Sequence, residues 1–193
     1  MRRLSATKSR PAREKLSPAF YAQPAITVAR QLLGKILVRR TSGQELRARI
    51  TETEAYLGPE DLASHSSKGR TRRTEIMFGP AGYAYVYLIY GMHDMLNVVV
   101  GETGHAEAVL IRGAEPLDNW DADLSGPGRL TRAMRITRAD NGLDLGGEQI
   151  YFSDDSGYRP SIVTAKRIGI DYAGPWKDAL LRFLDADKAA PRR

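Results

Sequence analysis

The sequence predicts an α+β fold, in which a single domain is built on a curved, mainly antiparallel β-sheet that is flanked by helices and carries a protruding β-hairpin. Strand-like runs follow one another without the long crossover helices that parallel strands require. No linker, internal repeat or low-complexity block divides the chain of 193 residues, a length that suits one domain. We therefore expect one domain over residues 16–193.

The first predicted elements are a helix and a two-stranded hairpin. In SPAFYAQPAITVARQLLGK, Thr27 is the expected cap of a helix that runs to Leu33, and Gly34 suits the left-handed position at its end. The runs ILVRR and ELRARITETEAY then predict two strands joined by the turn TSGQ.

The second of these strands carries an unusual group of polar side chains. Because side chains alternate along a strand, Glu52, Glu54 and Tyr56 are expected on one face. The same alternation would place Ala48 and Ile50 on that face as well. The face is therefore either a solvated surface with salt bridges, or it holds an acid whose chemistry requires poor solvation.

A polar loop, GPEDLASHSSKGRTRR, separates this strand from a second predicted hairpin. The runs YAYVYLIY and MLNVVV are typical of strands, and they place Tyr85 and Tyr87 on one face. Tyr90 has the opposite parity and precedes Gly91 at the turn, with Met92 directly after it. An exposed tip of this composition is suited to insertion between stacked bases.

In the next predicted strand, AEAVLIRGAEP, the apolar run AVLIR is closed by Arg112, on the face of Ala108 and Leu110. This Arg112 either reaches solvent at the strand end or pairs with a buried carboxylate, for which Glu54 is a candidate. Further on, GPGRLTRAMRIT predicts a short helix after Pro127. GLDLGGEQIYFSDD predicts a loop with an edge strand, and VTAKRIGI predicts a late strand.

The positive charge is concentrated at the N-terminus. The formal net charge is +6, and residues 1–15 hold six Lys or Arg against a single Glu. We expect this segment to be a disordered basic tail, which either contacts phosphates without sequence preference or only aids solubility. A second basic cluster, KGRTRR, lies inside the body of the chain.

Composition excludes several kinds of site. There is no cysteine, so disulfides, thiolate metal sites and cysteine nucleophiles are ruled out. The three histidines lack metal-binding spacing, and no GxSxG, P-loop or GxGxxG element occurs, so we expect no metal and no cofactor. No apolar run reaches membrane-helix length, and the start lacks the apolar core of a secretory signal, so we expect a cytoplasmic protein that does not bind a membrane.

Several long motifs together resemble one known family. ARITETEAYLGPEDLASH, MFGPAGYAYVYLIYGM, LNVVV and AVLIRGAEP are similar, in order and spacing, to the alkyladenine (3-methyladenine) DNA glycosylase family. The resemblance covers nearly all of the chain except its first fifteen and last ten residues. It implies a monomer, associated with the nucleoid when bound, that acts on double-stranded DNA containing damaged purines, flips the damaged nucleotide out and hydrolyses its N-glycosidic bond.

The resemblance implies a catalytic role for three residues. Glu54 matches the general base that activates the attacking water, and Arg112 matches a residue that helps to hold this water. Ile168 matches a position whose backbone carbonyl is the third partner. Such a base must be ionised yet poorly hydrated, which would account for a carboxylate on a buried strand face. No lysine stands beside Glu54 in sequence, so a monofunctional enzyme without a lyase step is expected.

Other matched residues are implied to bind the extruded nucleotide. Tyr56, His65 and Tyr87 match the side chains that sandwich the flipped base. Asn97 matches a residue that disfavours guanine by opposing its 2-amino group. Tyr90 matches the side chain that fills the hole left in the duplex.

DNA contacts outside the base-binding residues are expected at the tip and in the basic loop. Met92 is expected to enter the duplex with Tyr90, and Arg70, Arg72 and Arg73 are expected to contact the DNA backbone. The chain departs from the family pattern at Asp94, an anion that would weaken phosphate attraction, and at Arg72, where a proline is common.

Two alternatives remain open at the level of sequence. The fold also resembles an RNA-binding domain found attached to a formyltransferase, so a noncatalytic nucleic-acid-binding module is the main alternative. A carbohydrate hydrolase using Glu52 and Glu54 is a weaker candidate, because both carboxylates would point the same way rather than flank a bond.

Overall fold

A computed structural model describes residues 14–41, 43–118, 120–155 and 157–188. These residues form three α-helices: α1 (Pro18–Tyr21), α2 (Ala25–Leu32) and α3 (Pro127–Ala133). The same residues form eight strands: β1 (Ile36–Thr41), β2 (Gln44–Tyr56), β3 (Ala84–Ile89), β4 (His93–Val100), β5 (Glu107–Pro116), β6 (Ile150–Ser153), β7 (Ile162–Ala165) and β8 (Arg182–Asp185). Short 3₁₀ turns occupy His65–Lys68, Glu75–Phe78, Arg138–Asp140 and Gly174–Asp178.

All strand pairs are antiparallel and belong to one sheet. Its order is β3-β4-β5-β2-β1-β6, while β8 pairs with both β2 and β7. The 13-residue β2 is central, because it pairs with β5 over residues 48–56, with β1 over residues 44–49 and with β8 over residues 52–54. The α+β fold with a mainly antiparallel sheet is thus confirmed.

Most predicted elements occur, with shifted boundaries. The helix expected after Thr27 begins at Ala25 and is preceded by the short α1, while Gly34 has the expected positive φ of 82°. The late strand was predicted too long: β7 ends at Ala165, and residues 166–170 form a loop. The strand β8 was not predicted.

The main core lies between one face of the sheet and the helices. Val28 and Leu32 of α2 and Leu130 of α3 pack in this cluster with Val109 and Ile111 of β5. The described helices include none with the length and apolar content needed to cross a bilayer.

A double irregularity in the β2–β5 pairing changes which face each side chain occupies. Ile50 pairs with Ala114 and Thr53 with Ile111, so the register shifts on both sides of Glu52. Ile50 and Ala55 are both in the main core, and the Thr53 hydroxyl donates to the Ala29 carbonyl at 2.8 Å. The expectation that Glu52, Glu54 and Tyr56 share a face with Ala48 and Ile50 is therefore wrong.

The physical cause is one extra residue on each strand. Between the regular pairs, Thr51 of β2 and Arg112 of β5 have no directly opposed residue. A β-bulge of this kind interrupts the alternation of side chains, and bulges are common beside active sites. Here the bulge turns Glu54 away from the helices.

The N-terminal tail falls mostly outside the described residues, which begin at Glu14. The last two residues of that segment are attached to the sheet: the Lys15 backbone bridges Ser153, and the Asp154 amide donates to the Glu14 carbonyl at 3.0 Å. The ordered contact with β6 thus begins no later than Glu14.

Candidate active site

The Glu54 carboxylate lies fully buried at the bulge and is bonded on both oxygens. The Tyr56 hydroxyl donates to Oε2 at 3.0 Å, and the backbone N–H of Ile168 donates to Oε1 at 2.9 Å. Arg112 Nε lies 3.3 Å from Oε1. Three elements therefore converge on one carboxylate: β2, β5 and the 166–170 loop. Ile168 contacts the acid through its amide N–H, and the role expected of its carbonyl, holding the water, stays a prediction.

A second carboxylate shares the same guanidinium. Arg112 Nε donates to Glu52 Oε1 at 3.1 Å, and Arg182 of β8 donates to the same oxygen at 3.2 Å. Arg182 also donates to the Lys166 carbonyl at 2.7 Å, which ties β8 to the loop that carries Ile168. The cluster therefore balances two carboxylates with two guanidiniums.

Burial and charge oppose each other at Glu54. Burial raises the pKa of Glu54 above its usual range, because a poorly solvated carboxylate is less stable in its charged form. Arg112, the Ile168 amide and the Tyr56 hydroxyl act in the opposite direction, because each stabilises the anion. The result is a proton acceptor of increased basicity that is still held by cationic and hydrogen-bonding partners.

An aromatic cleft adjoins this carboxylate. Its lining includes Tyr56, His65, Tyr87, Asn97 and Arg112. These residues come from separate parts of the chain, so folding brings together the expected base-binding side chains and two of the expected catalytic residues, Arg112 and Ile168.

One side of the cleft is a cluster of three rings. His65 and Tyr87 lie 4.4 Å apart between ring centroids in an edge-to-face arrangement, and Tyr85 lies 5.3 Å from Tyr87. His65 Nδ1 and the Tyr85 hydroxyl are hydrogen-bonded at 2.8 Å. Burial, aided by the positive charge of Arg73, lowers the pKa of His65 to about 4. The imidazole is therefore neutral near pH 7.

Tyr56, which also lines the cleft, belongs to a separate cluster. It packs with Ala63 and Ile170, and the guanidinium of Arg167 lies 4.8 Å from its ring centroid. Tyr56 and the His65–Tyr87 pair therefore reach the cleft from different hydrophobic clusters, as binding a planar base between rings requires.

A buried ion pair joins the loops on this side. Arg167 NH1 and NH2 donate to the two oxygens of Asp61 at 2.5 and 2.9 Å, and both side chains are fully inaccessible. Asp61 also accepts from the backbone of Leu57 and Ala63, and Arg167 donates to the Ala55 carbonyl at 3.0 Å. The pair fixes the 57–63 segment against the loop that carries Ile168.

Asn97 is buried in the cleft wall on β4. Its Nδ2 donates to the Tyr85 carbonyl at 3.1 Å, which fixes the amide plane next to the ring cluster.

The expected DNA-inserting residues form the tip of the β3–β4 hairpin. Tyr90 and Gly91 both have positive φ, 51° and 69°, and the Met92 amide closes the turn on the Ile89 carbonyl at 3.1 Å. Tyr90 is 80% and Met92 73% exposed. Two large apolar side chains are thus held outward on a tight turn.

The three arginines of the basic loop occupy different environments. Arg70 pairs with Glu75 at 3.3 Å, and Arg72 is exposed. Arg73 is turned toward the aromatic cluster, with its guanidinium 5.1 Å from the Tyr87 ring centroid. Among the three, Arg72 is the arginine that forms neither an ion pair nor a ring contact within the described part of the chain.

The departure at Asp94 is compensated locally. Asp94 Oδ1 lies 3.1 Å from Arg138 Nε, so its negative charge beside the hairpin is offset.

Sequence reasoning missed Arg182 and the Asp61–Arg167 pair. Arg182 was missed because β8 was not predicted. The signal for the pair was an aspartate and an arginine inside the two motifs GPEDLASH and RIGI, but nothing in the sequence indicated that they meet. Among the described residues, no group of three or more His, Asp or Glu side chains is placed to hold a metal ion.

Comparison with known proteins agrees with this arrangement. A family model described as methylpurine-DNA glycosylase (MPG) matches residues 19–189. A protein of Anaeromyxobacter sp. (strain Fw109-5) is 52% identical over 170 residues, which cover 88% of each chain. A protein of Legionella pneumophila (strain Lens) is 50% identical over 174 residues, which cover 90% of this chain and 95% of the relative. Both carry the name "Putative 3-methyladenine DNA glycosylase".

The matches extend over most of the chain and include every motif on which the resemblance was based. The family prediction is thereby confirmed, and with it the reaction class, hydrolysis of N-glycosyl bonds in DNA. The chain belongs to the methylpurine-DNA glycosylase family.

Proposed function

We propose that this chain takes alkylated or deaminated purines, such as 3-methyladenine, 7-methylguanine, hypoxanthine or ethenoadenine, out of duplex DNA and removes them with a water molecule activated by Glu54. The observation that carries the proposal is the buried Glu54 carboxylate, held by Arg112, Tyr56 and Ile168 directly beside an aromatic cleft. The exposed side chains at the hairpin tip fill the gap that an extruded nucleotide leaves in the duplex.

The bond changes follow from these positions. As the N-glycosidic bond stretches, positive charge develops on the deoxyribose, and the anionic Glu54 beside it stabilises that charge. The water oxygen bonds to C1′, one water proton passes to Glu54, and the bonding electrons leave with the base. A base that is cationic through alkylation departs neutral, while a neutral base such as hypoxanthine must gain a proton as it departs. The product is an abasic site.

The cleft residues are assigned to base capture. Tyr56 and the His65–Tyr87 pair stack on the extruded base, and Asn97 opposes the 2-amino group of undamaged guanine. The neutral His65 can accept or donate a hydrogen bond to the base edge but is a poor acid near pH 7. Arg72 is assigned to the DNA backbone, because it is exposed and positively charged.

The reaction is tested with duplex oligonucleotides that each carry one lesion. Alkali cleaves DNA at abasic sites, so strand cleavage after incubation reports base release. Cleavage with at least one alkylated or deaminated purine, and none with the undamaged duplex, is expected. Binding without any abasic product on every lesion would support a noncatalytic module instead.

The rate of excision is expected to decrease at acidic pH, and the pKa of Glu54 sets the pH at which it decreases. The general base must be ionised, and a raised pKa means that protonation begins at higher pH than for an exposed glutamate, whose pKa is about 4.3. Single-turnover excision of 7-methylguanine, which needs no proton to depart, should therefore decrease with a midpoint above that value. An excision rate that rises as the pH falls would contradict this role, and circular dichroism at each pH controls for unfolding.

Tyr90→Ala is expected to reduce excision from duplex DNA about 10- to 100-fold, because the gap left by the extruded nucleotide costs a few kcal/mol when it is not filled. Single-stranded substrate has no such gap and should be affected little. Val163→Ala, an exposed apolar residue on the unrelated β7, is the control. Equal losses on both substrates would contradict a role in filling the duplex.

A further inference from the structure

Both aromatic sides of the cleft are in contact with a guanidinium. Arg167 lies 4.8 Å from the ring centroid of Tyr56, and Arg73 lies 5.1 Å from that of Tyr87. Neither arginine belongs to the cleft lining, and Arg73 instead lines a second cavity together with Tyr87. Tyr87 therefore borders both spaces, with Arg73 on the side away from the cleft.

The two guanidiniums differ in their charge balance. Arg167 is neutralised by the bidentate pair with Asp61. The contacts of Arg73 are to uncharged groups: the Leu88 carbonyl at 3.5 Å, the Tyr85 hydroxyl and the Tyr87 ring. Within the described residues, no carboxylate forms an ion pair with Arg73.

The remaining charges around the cleft cancel. Glu52 and Glu54 are matched by Arg112 and Arg182, and His65 is neutral near pH 7. The charge of Arg73 is therefore in excess beside the base-binding space.

We propose that Arg73 is a specificity residue that disfavours bases carrying a fixed positive charge, such as N3- or N7-alkylated purines, relative to neutral ones such as hypoxanthine. This inference rests on the proposed function of the cleft. A tyrosine ring by itself attracts a cationic base through its π-electrons. A guanidinium on the outer face of Tyr87 draws that electron density away from the cleft and repels a second cation directly.

The size of the effect follows from distance. A base stacked on the cleft side of Tyr87 would lie about 9 Å from the Arg73 guanidinium, because stacked rings are separated by about 3.5 Å. At that distance, and at effective dielectric constants between those of a protein surface and of water, the repulsion corresponds to an about 2- to 20-fold difference in affinity.

The test measures binding of matched duplexes that are not cleaved. One duplex carries 7-methylguanine and the other hypoxanthine, each on a 2′-fluoro sugar, because fluorine beside C1′ destabilises the cationic transition state and preserves the bond. Arg73→Gln should tighten binding of the 7-methylguanine duplex, relative to the hypoxanthine duplex, by the factor given above. Arg73→Lys, which keeps the charge, should leave most of the discrimination in place.

Arg72→Gln is the matched control, because it removes the same charge from the neighbouring exposed position without a recorded contact to Tyr87. It should weaken binding of both duplexes equally. An unchanged ratio of the two dissociation constants in Arg73→Gln would overturn the inference. Failure of the unsubstituted protein to release any base from ordinary 2′-deoxy lesion duplexes would instead overturn the proposed function, so the two failures are distinguishable.

Discussion

Glu54→Gln is expected to bind a lesion-containing duplex as the unsubstituted protein does but to release the base about 10²- to 10⁴-fold more slowly. Glutamine keeps the shape of the side chain and an oxygen that can accept from the Ile168 amide. It removes the negative charge that stabilises the transition state, and it cannot accept the proton from water. Arg112 retains Glu52 as a partner, so the substitution leaves no unpaired guanidinium in the core.

The measurement combines a binding titration with single-turnover base release on the same duplex. Glu45→Gln, a carboxylate on the exposed end of β2 that pairs with Arg40, is the matched control and should leave both quantities unchanged. Glu52→Gln is expected to slow base release less than Glu54→Gln, because Glu52 acts through its hold on Arg112. Base release undiminished in Glu54→Gln would remove Glu54 from the mechanism.

Asp61→Asn is expected to lower the free energy of unfolding by about 3 to 5 kcal/mol, which is the typical cost of leaving one member of a buried ion pair without its counter-charge. Arg167 would remain inaccessible to water. Its hydrogen bond to the Ala55 carbonyl would be unchanged, but its charged acceptor would be lost. Base release should also fall, because Arg167 supports the Tyr56 ring and precedes Ile168 in the chain.

Chemical denaturation measures the loss of stability. Asp123→Asn is the matched control, because it breaks an ion pair with Arg129 at 3.1 Å in which both side chains are exposed. Such surface pairs contribute no more than about 1 kcal/mol. A loss of that small size for Asp61→Asn would contradict the expectation. It would show that the substitution does not leave Arg167 with an uncompensated buried charge.

Local pattern was sufficient to predict much of the fold. The strands that became β1 to β5 are runs of alternating or of β-branched and aromatic residues, and Gly34 and Gly91 occupy the positive-φ conformation that glycine favours. The candidate pairing of Arg112 with Glu54 also follows, because both lie on long strands with clear patterns.

The unpredicted features depend on contacts between distant parts of the chain. The four-residue β8 is too short to have a distinct pattern, yet it delivers Arg182 to Glu52 across 130 positions. Asp61 and Arg167 are 106 residues apart and lie in loops, where sequence gives no register. The orientation of Tyr85 and Arg73 toward His65 likewise depends on how a loop folds over a strand.

The bulge at Thr51 has a consequence for changes in chain length. Deleting this one residue would restore strict alternation along β2 and leave the later side chains on their present faces. Counted from Ile50 in the core, Thr53 and Ala55 would still face the helices, while Glu54 and Tyr56 would still point away from them. The extra residue therefore lengthens β2 without changing which side chains reach the cleft, and relatives that are one residue shorter at this point can keep the same acid beside the same aromatic ring.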